Sequence, residues 1–171
     1  MDTPDRFLLG IDPGATTGLA GYVPGRGRQR GALAFVDSAG PLHVLRHLEA
    51  WAREGALLAA FVEDARGLPI YARNRRANRG ERDRIARGVG HVDCLTGLYL
   101  DALAALGVPA VPVEPGRGKK WDADTLERLT GYAAPTNEHG RDAARLVFGR
   151  SAPGPTADRP PAPRPHTAAT A

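Results

Sequence analysis

The chain of 171 residues has a single cysteine, Cys94. No internal disulfide can form, and a reducing cytosol is the expected compartment. Cys94 itself is expected as a small buried residue of a helix. No stretch reaches the roughly 18 consecutive apolar residues of a membrane-spanning helix. The opening MDTPDRFLLG lacks the basic start and long apolar run of a secretory signal. No internal repeat is present. Leu, Ile, Val and aromatics are missing from residues 150–171, which hold Pro153, Pro155, Pro160, Pro161, Pro163 and Pro165 instead. Such a segment cannot bury enough apolar surface to offset its ordering entropy, so it is expected to be a disordered tail. Residues 1–149 are then one domain with its own core.

Acid is scarce where base is dense. The formal net charge is +4, but it is unevenly placed. Arg66, Arg73, Arg75, Arg76, Arg79, Arg82, Arg84 and Arg87 lie within 22 residues, opposed only by Glu81 and Asp83. The rest of the chain is acidic on balance. One strongly basic segment on a mildly acidic body suits a polyanion, most simply nucleic acid; a solvated arginine-rich loop is the plainer reading.

The stretch LLGIDPGATTGLAGY, residues 8–22, is a run of apolar residues that carries one carboxylate, Asp12. Phe7 to Asp12 reads as a strand, Gly14 and Gly18 as a turn, and Leu19 to Val23 as a second strand. PGRGRQRG leads to a third strand, ALAFVD, completing an antiparallel meander. Leu42, Leu45, Leu48 and Trp51 have helical spacing, with Gly55 as the stop. LLAAFVED, residues 57–64, reads as a strand covered on both faces. The basic segment runs from loop into a helix that stops near Leu106 and Gly107. VPAVPVEP is a fifth strand near an edge, given Pro109 and Pro112. Asp122–Thr130 is a short helix with Asp122 near its N-cap, and Asn137–Phe148 is a last helix. A meander followed by alternating helices and strands gives an α/β fold: a mixed five-stranded sheet flanked by helices.

Asp12 ends the first strand, Glu63 and Asp64 end the fourth, and His139 and Asp142 share one helix face. Carboxylates gathered from separate elements repel one another, and a divalent cation relieves that; oxygen donors suit Mg2+ or Mn2+. Such ions can serve phosphodiester hydrolysis. Each residue also has an ordinary reading. Asp12 can cap its turn, Glu63 or Asp64 can pair with an arginine of the next loop, His139 can be a satisfied helix histidine, and Asp142 can pair with Arg141 or Arg145. The glycines beside Asp12 would let the chain reverse sharply with no side chain blocking a phosphate.

Together these residues resemble the RuvC-type Holliday-junction resolvases, phage-type members in particular. The likeness rests on GIDPG (Gly10 to Gly14) with Thr17-Gly18, Glu63 at a strand end, ARGVG (Ala86 to Gly90), Lys119-Lys120 and the late HxxDA of His139 to Ala143. It spans residues 7–149. The resemblance implies a ribonuclease H-like fold, a homodimer, and Mg2+-dependent cutting of branched DNA in recombination and repair, with Mn2+ as a substitute and no organic cofactor or membrane. It implies Asp12 as the central metal-bridging carboxylate, Glu63 as the second ligand, and His139 and Asp142 as helix-borne ligands. Lys119 and Lys120 would face the DNA backbone. Tyr71, Arg73, Arg75, Arg76 and Arg79 are the further DNA-binding candidates, Tyr71 by stacking on an unpaired base. The turn after Asp12 is one residue shorter than in typical bacterial resolvases, and the segment after Glu63 is longer and richer in arginine. The helix of residues 91–107, with Leu95, Leu98, Leu103 and Leu106, would be the dimer face that the resemblance implies; core packing explains those leucines equally well.

Three other functions stay open at this level. IDPGATTG also resembles the phosphate-loop hairpin of actin and sugar kinases, which bind ATP between two such domains; no second copy is present here. A branched-nucleic-acid-binding module without catalysis would use the same basic segment. A resolvase-like nuclease acting on ribosomal RNA would differ only in substrate.

Overall fold

The computed structural model describes residues 6–27, 29–68, 79–116 and 119–154; the side chains of residues 79 and 81–84 are not described. The elements run β1 (Phe7–Asp12), β2 (Thr17–Val23), β3 (Ala32–Ala39), α1 (Pro41–Arg53), β4 (Leu57–Glu63), α2 (Arg79–Ala105), β5 (Ala110–Val113), α3 (Ala123–Thr130) and α4 (Glu138–Val147). The sheet order is β3-β2-β1-β4-β5. β1, β2 and β3 form the antiparallel meander, while β4 lies parallel to β1 and to β5. The expected strands and helices are present, with β2 starting two residues earlier and β3 ending two later than the sequence pattern suggests.

Alternation along β1 and β4 sends side chains to two cores. Leu9, Ile11, Ala60 and Val62 pack with Val44 and Leu48 of α1 and with Leu95, Tyr99 and Leu103 of α2. Leu8, Ala59 and Phe61 pack on the opposite face with Leu126 of α3 and with Ala143, Ala144, Leu146 and Val147 of α4. β4 is therefore covered on both faces, and β5 is an edge, in keeping with its Pro112.

Local signals set the helix ends. Pro41 opens α1 and Gly55, at φ 68°, follows its end. Asp122 accepts from Thr125 N at the start of α3, and Gly131, at φ 76°, closes it. Asn137 caps α4 through Gly140 N. These are the residue types that satisfy a helix terminus or tolerate the left-handed region.

Several expectations are corrected or narrowed. Leu42 is exposed, because Val44 and Leu48 define the buried face of α1 and Leu42 lies about 200° around the helix from Val44. Cys94 is exposed, not buried: Leu95, Tyr99 and Leu103 form the core stripe of α2, and Cys94 is turned off it. On the same helix, Leu95 and Leu103 are spent on the chain's own core and Leu106 packs against it, so Leu98 alone of the four leucines is exposed. Arg150, placed in the expected tail, still packs back: its guanidinium lies 4.8 Å from the Phe61 ring centroid. Residues 155–171 of that tail lie outside the described residues.

Candidate active site

β1 and β4 are parallel neighbours whose last register pair is Ile11 with Val62. One residue further on, Asp12 and Glu63 end their strands side by side. Parity puts both on the face that carries α4, since Leu8 and Phe61 belong to that core. The first two turns of α4 complete the group. His139 Nδ1 lies 3.3 Å from Asp12 Oδ2. Asp142, one turn along the same face, is buried.

Glycine allows this approach. A Cβ on Gly18 would meet the backbone of His139 and Gly140 at 3.0 Å or less, and one on Gly10 would collide with the Ala143 carbonyl. The glycines of the opening motif thus make room for α4. For Gly18 this replaces the expected role of clearing space for a phosphate, because the space is filled by protein backbone.

The turn after Asp12 is tied down from the other side of the sheet. Thr17 Oγ1 donates to Gly14 O at 2.9 Å and lies 2.8 Å from the buried Tyr99 hydroxyl of α2. A hydroxyl has one proton, so Tyr99 is the donor in that second bond. Sequence reasoning missed Tyr99, which reads as one more apolar position of an amphipathic helix.

Electrostatics couple the carboxylates. Burial pushes the Asp12 carboxyl up from its ordinary value, the hydrogen bond from His139 opposes that, and the charge of Asp142 adds to it. Burial also raises Glu63, followed by the charges of Asp12 and Asp142. The charge of Asp142 thus acts on both Asp12 and Glu63, and that of Asp12 on Glu63, as expected of carboxylates placed near one another. Asp142 has close cations: Lys120 Nζ at 2.6 Å and Arg145 Nη1 at 3.7 Å. Its hydrogen bond holds the Lys120 ammonium above the ordinary lysine value.

Asp64 is not part of the group. Arg66 grips it through Nε at 2.9 Å and Nη2 at 2.7 Å, and this pairing holds its carboxyl below the ordinary range. The arginine pairing weighed for Glu63 or Asp64 is therefore Asp64's. Lys119 is exposed beside Asp122. Tyr71, Arg73, Arg75 and Arg76 lie outside the described residues. Arg79 begins α2, and its side chain is not described.

Hard oxygen donors with mutual repulsion fit a divalent cation such as Mg2+ in kind. In arrangement they are not gathered: among the described residues, no three His, Cys, Asp or Glu side chains are grouped so as to hold a metal ion. Asp142 is engaged by Lys120 and Asp12 by His139.

Among solved structures, the chain is similar to Thermus thermophilus RuvC in complex with a Holliday junction substrate, with a TM-score of 0.57 and 18% identity over 83% of this chain and 90% of that one. A second structure of T. thermophilus RuvC matches with a TM-score of 0.49 and 19% identity over 83% of this chain and 91% of that one. No protein-family model matches the sequence, and no curated protein does. No helix among the described residues is long and apolar enough to cross a membrane. The mixed five-stranded sheet with its flanking helices is the ribonuclease H-like fold of the junction-bound RuvC structure.

Proposed function

We propose that this chain is a metal-dependent, structure-selective DNA endonuclease that hydrolyses phosphodiesters in branched DNA, of the Holliday-junction resolvase type. One observation carries the reading. Asp12, Glu63 and Asp142 come from three separate elements and lie on one face at the ends of two parallel strands, where the charge of Asp142 helps to raise the carboxyls of both Asp12 and Glu63.

Asp12, Glu63, His139 and Asp142 would hold Mg2+ or Mn2+, whose chemistry when bound is to activate water and offset charge on the phosphate. The chain's own groups do the rest. In place of a ligand role, His139 would present an imidazole next to Asp12 as a proton shuttle. The hydroxyl pair of Tyr99 and Thr17 keeps the turn after Asp12 in place. Lys120 and Lys119 offer ammonium groups to the backbone. The arginine-rich segment between β4 and α2 draws the polyanion in, with Tyr71, Arg73, Arg75, Arg76 and Arg79 as its DNA contacts. Residues 1–149 form the nuclease domain, residues 150–171 are an appended tail, and the working form is a homodimer in a reducing cytosol.

A second reading is a branched-DNA-binding protein without cleavage, and the engagement of Asp142 by Lys120 favours it. One panel separates the two: four-way, three-way, flap and linear DNA, each with wild type and Asp12→Asn in Mg2+ and in Mn2+. The nuclease reading expects cleavage of branched DNA that falls at least about a hundredfold in the variant. Equal behaviour of the two proteins would sink the mechanism. Binding without cleavage in both would favour the second reading.

A further inference from the structure

The two cations on Asp142 differ in kind. Arg145 belongs to α4 itself and is largely covered. Lys120 comes from the segment between β5 and α3, and its side chain is 66% exposed, whereas that of Asp142 is 10% exposed. A buried carboxylate is thus neutralised by an ammonium whose stem stands in solvent. Such a group is a compact charge on a flexible chain with three donors, and it can change partners without disturbing the core. The charges of Glu138 and Asp12 also act on it. It therefore stands at the rim of the anionic cluster, where an incoming backbone phosphate would arrive.

Building on the nuclease reading, we propose that Lys120 is an exchangeable counter-ion: it occupies Asp142 when no DNA is bound and passes to a phosphate when the backbone arrives, which leaves Asp142 available as a metal ligand. This accounts for the pairing of a buried carboxylate of the cluster with an exposed lysine. It also makes DNA and the divalent cation mutually favourable. DNA removes the internal competitor for Asp142, and the cation removes the carboxylate that competes with phosphate for Lys120. Such coupling is reciprocal by thermodynamic necessity.

The test is Mn2+ binding to the full chain without DNA, followed by the free-ion signal in electron paramagnetic resonance. Lys120→Met should bind Mn2+ about tenfold more tightly than wild type, within the usual range of coupling between sites. Lys120→Arg, which keeps the charge, should stay near wild type. Equal or weaker binding by Lys120→Met overturns the proposal. A second measurement needs no variant: anisotropy of a labelled linear duplex with and without Ca2+. Wild type should bind the duplex about tenfold more tightly with the ion, and an unchanged affinity also overturns the proposal. Failure of the underlying reading looks different, because Glu63→Gln would then bind Mn2+ as well as wild type does.

Discussion

Gly18→Ala should damage the protein far more than its single added methyl suggests. The new Cβ would run into the His139 carbonyl and press on Gly140 N. Those are backbone atoms of a helix, so no side chain can swing away. α4 would have to retreat by about 1–2 Å to restore ordinary spacing, and its Ala143, Ala144, Leu146 and Val147 would pack less closely against the sheet. Overpacking of this kind costs about 1–3 kcal/mol, and the upper end applies where the neighbour is rigid. Loss of unfolded-state freedom returns only about 0.4–1 kcal/mol. The net of about 2 kcal/mol corresponds to a fall in Tm of roughly 4–8 °C for a chain of this size. Thermal unfolding by circular dichroism reads this, with Gly90→Ala as control. Gly90 has nothing within 4 Å of its missing Cβ and lies in α2, so alanine there should raise Tm slightly through helix propensity. The retreat of α4 also carries His139 away from Asp12, so any cleavage activity should fall with it. A Gly18→Ala protein within about 1 °C of wild type would refute the account of how α4 is seated.

Other predictions concern the hydroxyl pair, the carboxylates and the basic segment. Thr17→Val should cost about 1–3 kcal/mol because it strands the buried Tyr99 donor, whereas Thr17→Val with Tyr99→Phe should cost less than the two singles together; additive losses in a denaturant-unfolding cycle would deny the bond. Glu63 has a raised carboxyl, so the folded state disfavours its charge. Its burden on stability is absent below the ordinary carboxylate range and grows as pH rises through that range towards the folded value. Glu63→Gln should therefore raise Tm at pH 7 and have little effect near pH 3, and the opposite order would contradict the direction of the shift. Asp64 is held low by Arg66, so its stabilisation is present above the ordinary Asp range and lost on acidification; Asp64→Asn should flatten that part of a Tm-against-pH curve. Replacing Arg73, Arg75, Arg76 and Arg79 together should reduce the salt dependence of DNA binding, by about 0.9 in logarithmic slope for each phosphate that is no longer neutralised. An unchanged slope would put the DNA elsewhere.

Much of this was legible in the sequence because the relevant physics is local. Alternation marked the strands, and Gly55, Gly107 and Asp122 marked helix ends because each meets a terminus in its own chemical way. The placement of Asp12, Glu63, His139 and Asp142 followed from strand ends and helix spacing. Errors arose where one position admits two directions. Leu42 and Cys94 sit in correctly identified helices, yet which side is buried depends on the sheet against which each helix packs.

By itself the sequence determined the order of elements and the caps of the helices, since propensity, periodicity and termini act over a few residues. Only the tertiary structure decided how the residues of the candidate centre are engaged. Thr17 meets Tyr99 across 82 positions, and His139 meets Asp12 across 127. The Lys120–Asp142 pair joins a loop to a helix. Partners so far apart along the chain are chosen by how helices seat on the sheet, and here that seating depends on the space left by glycines in β1 and β2.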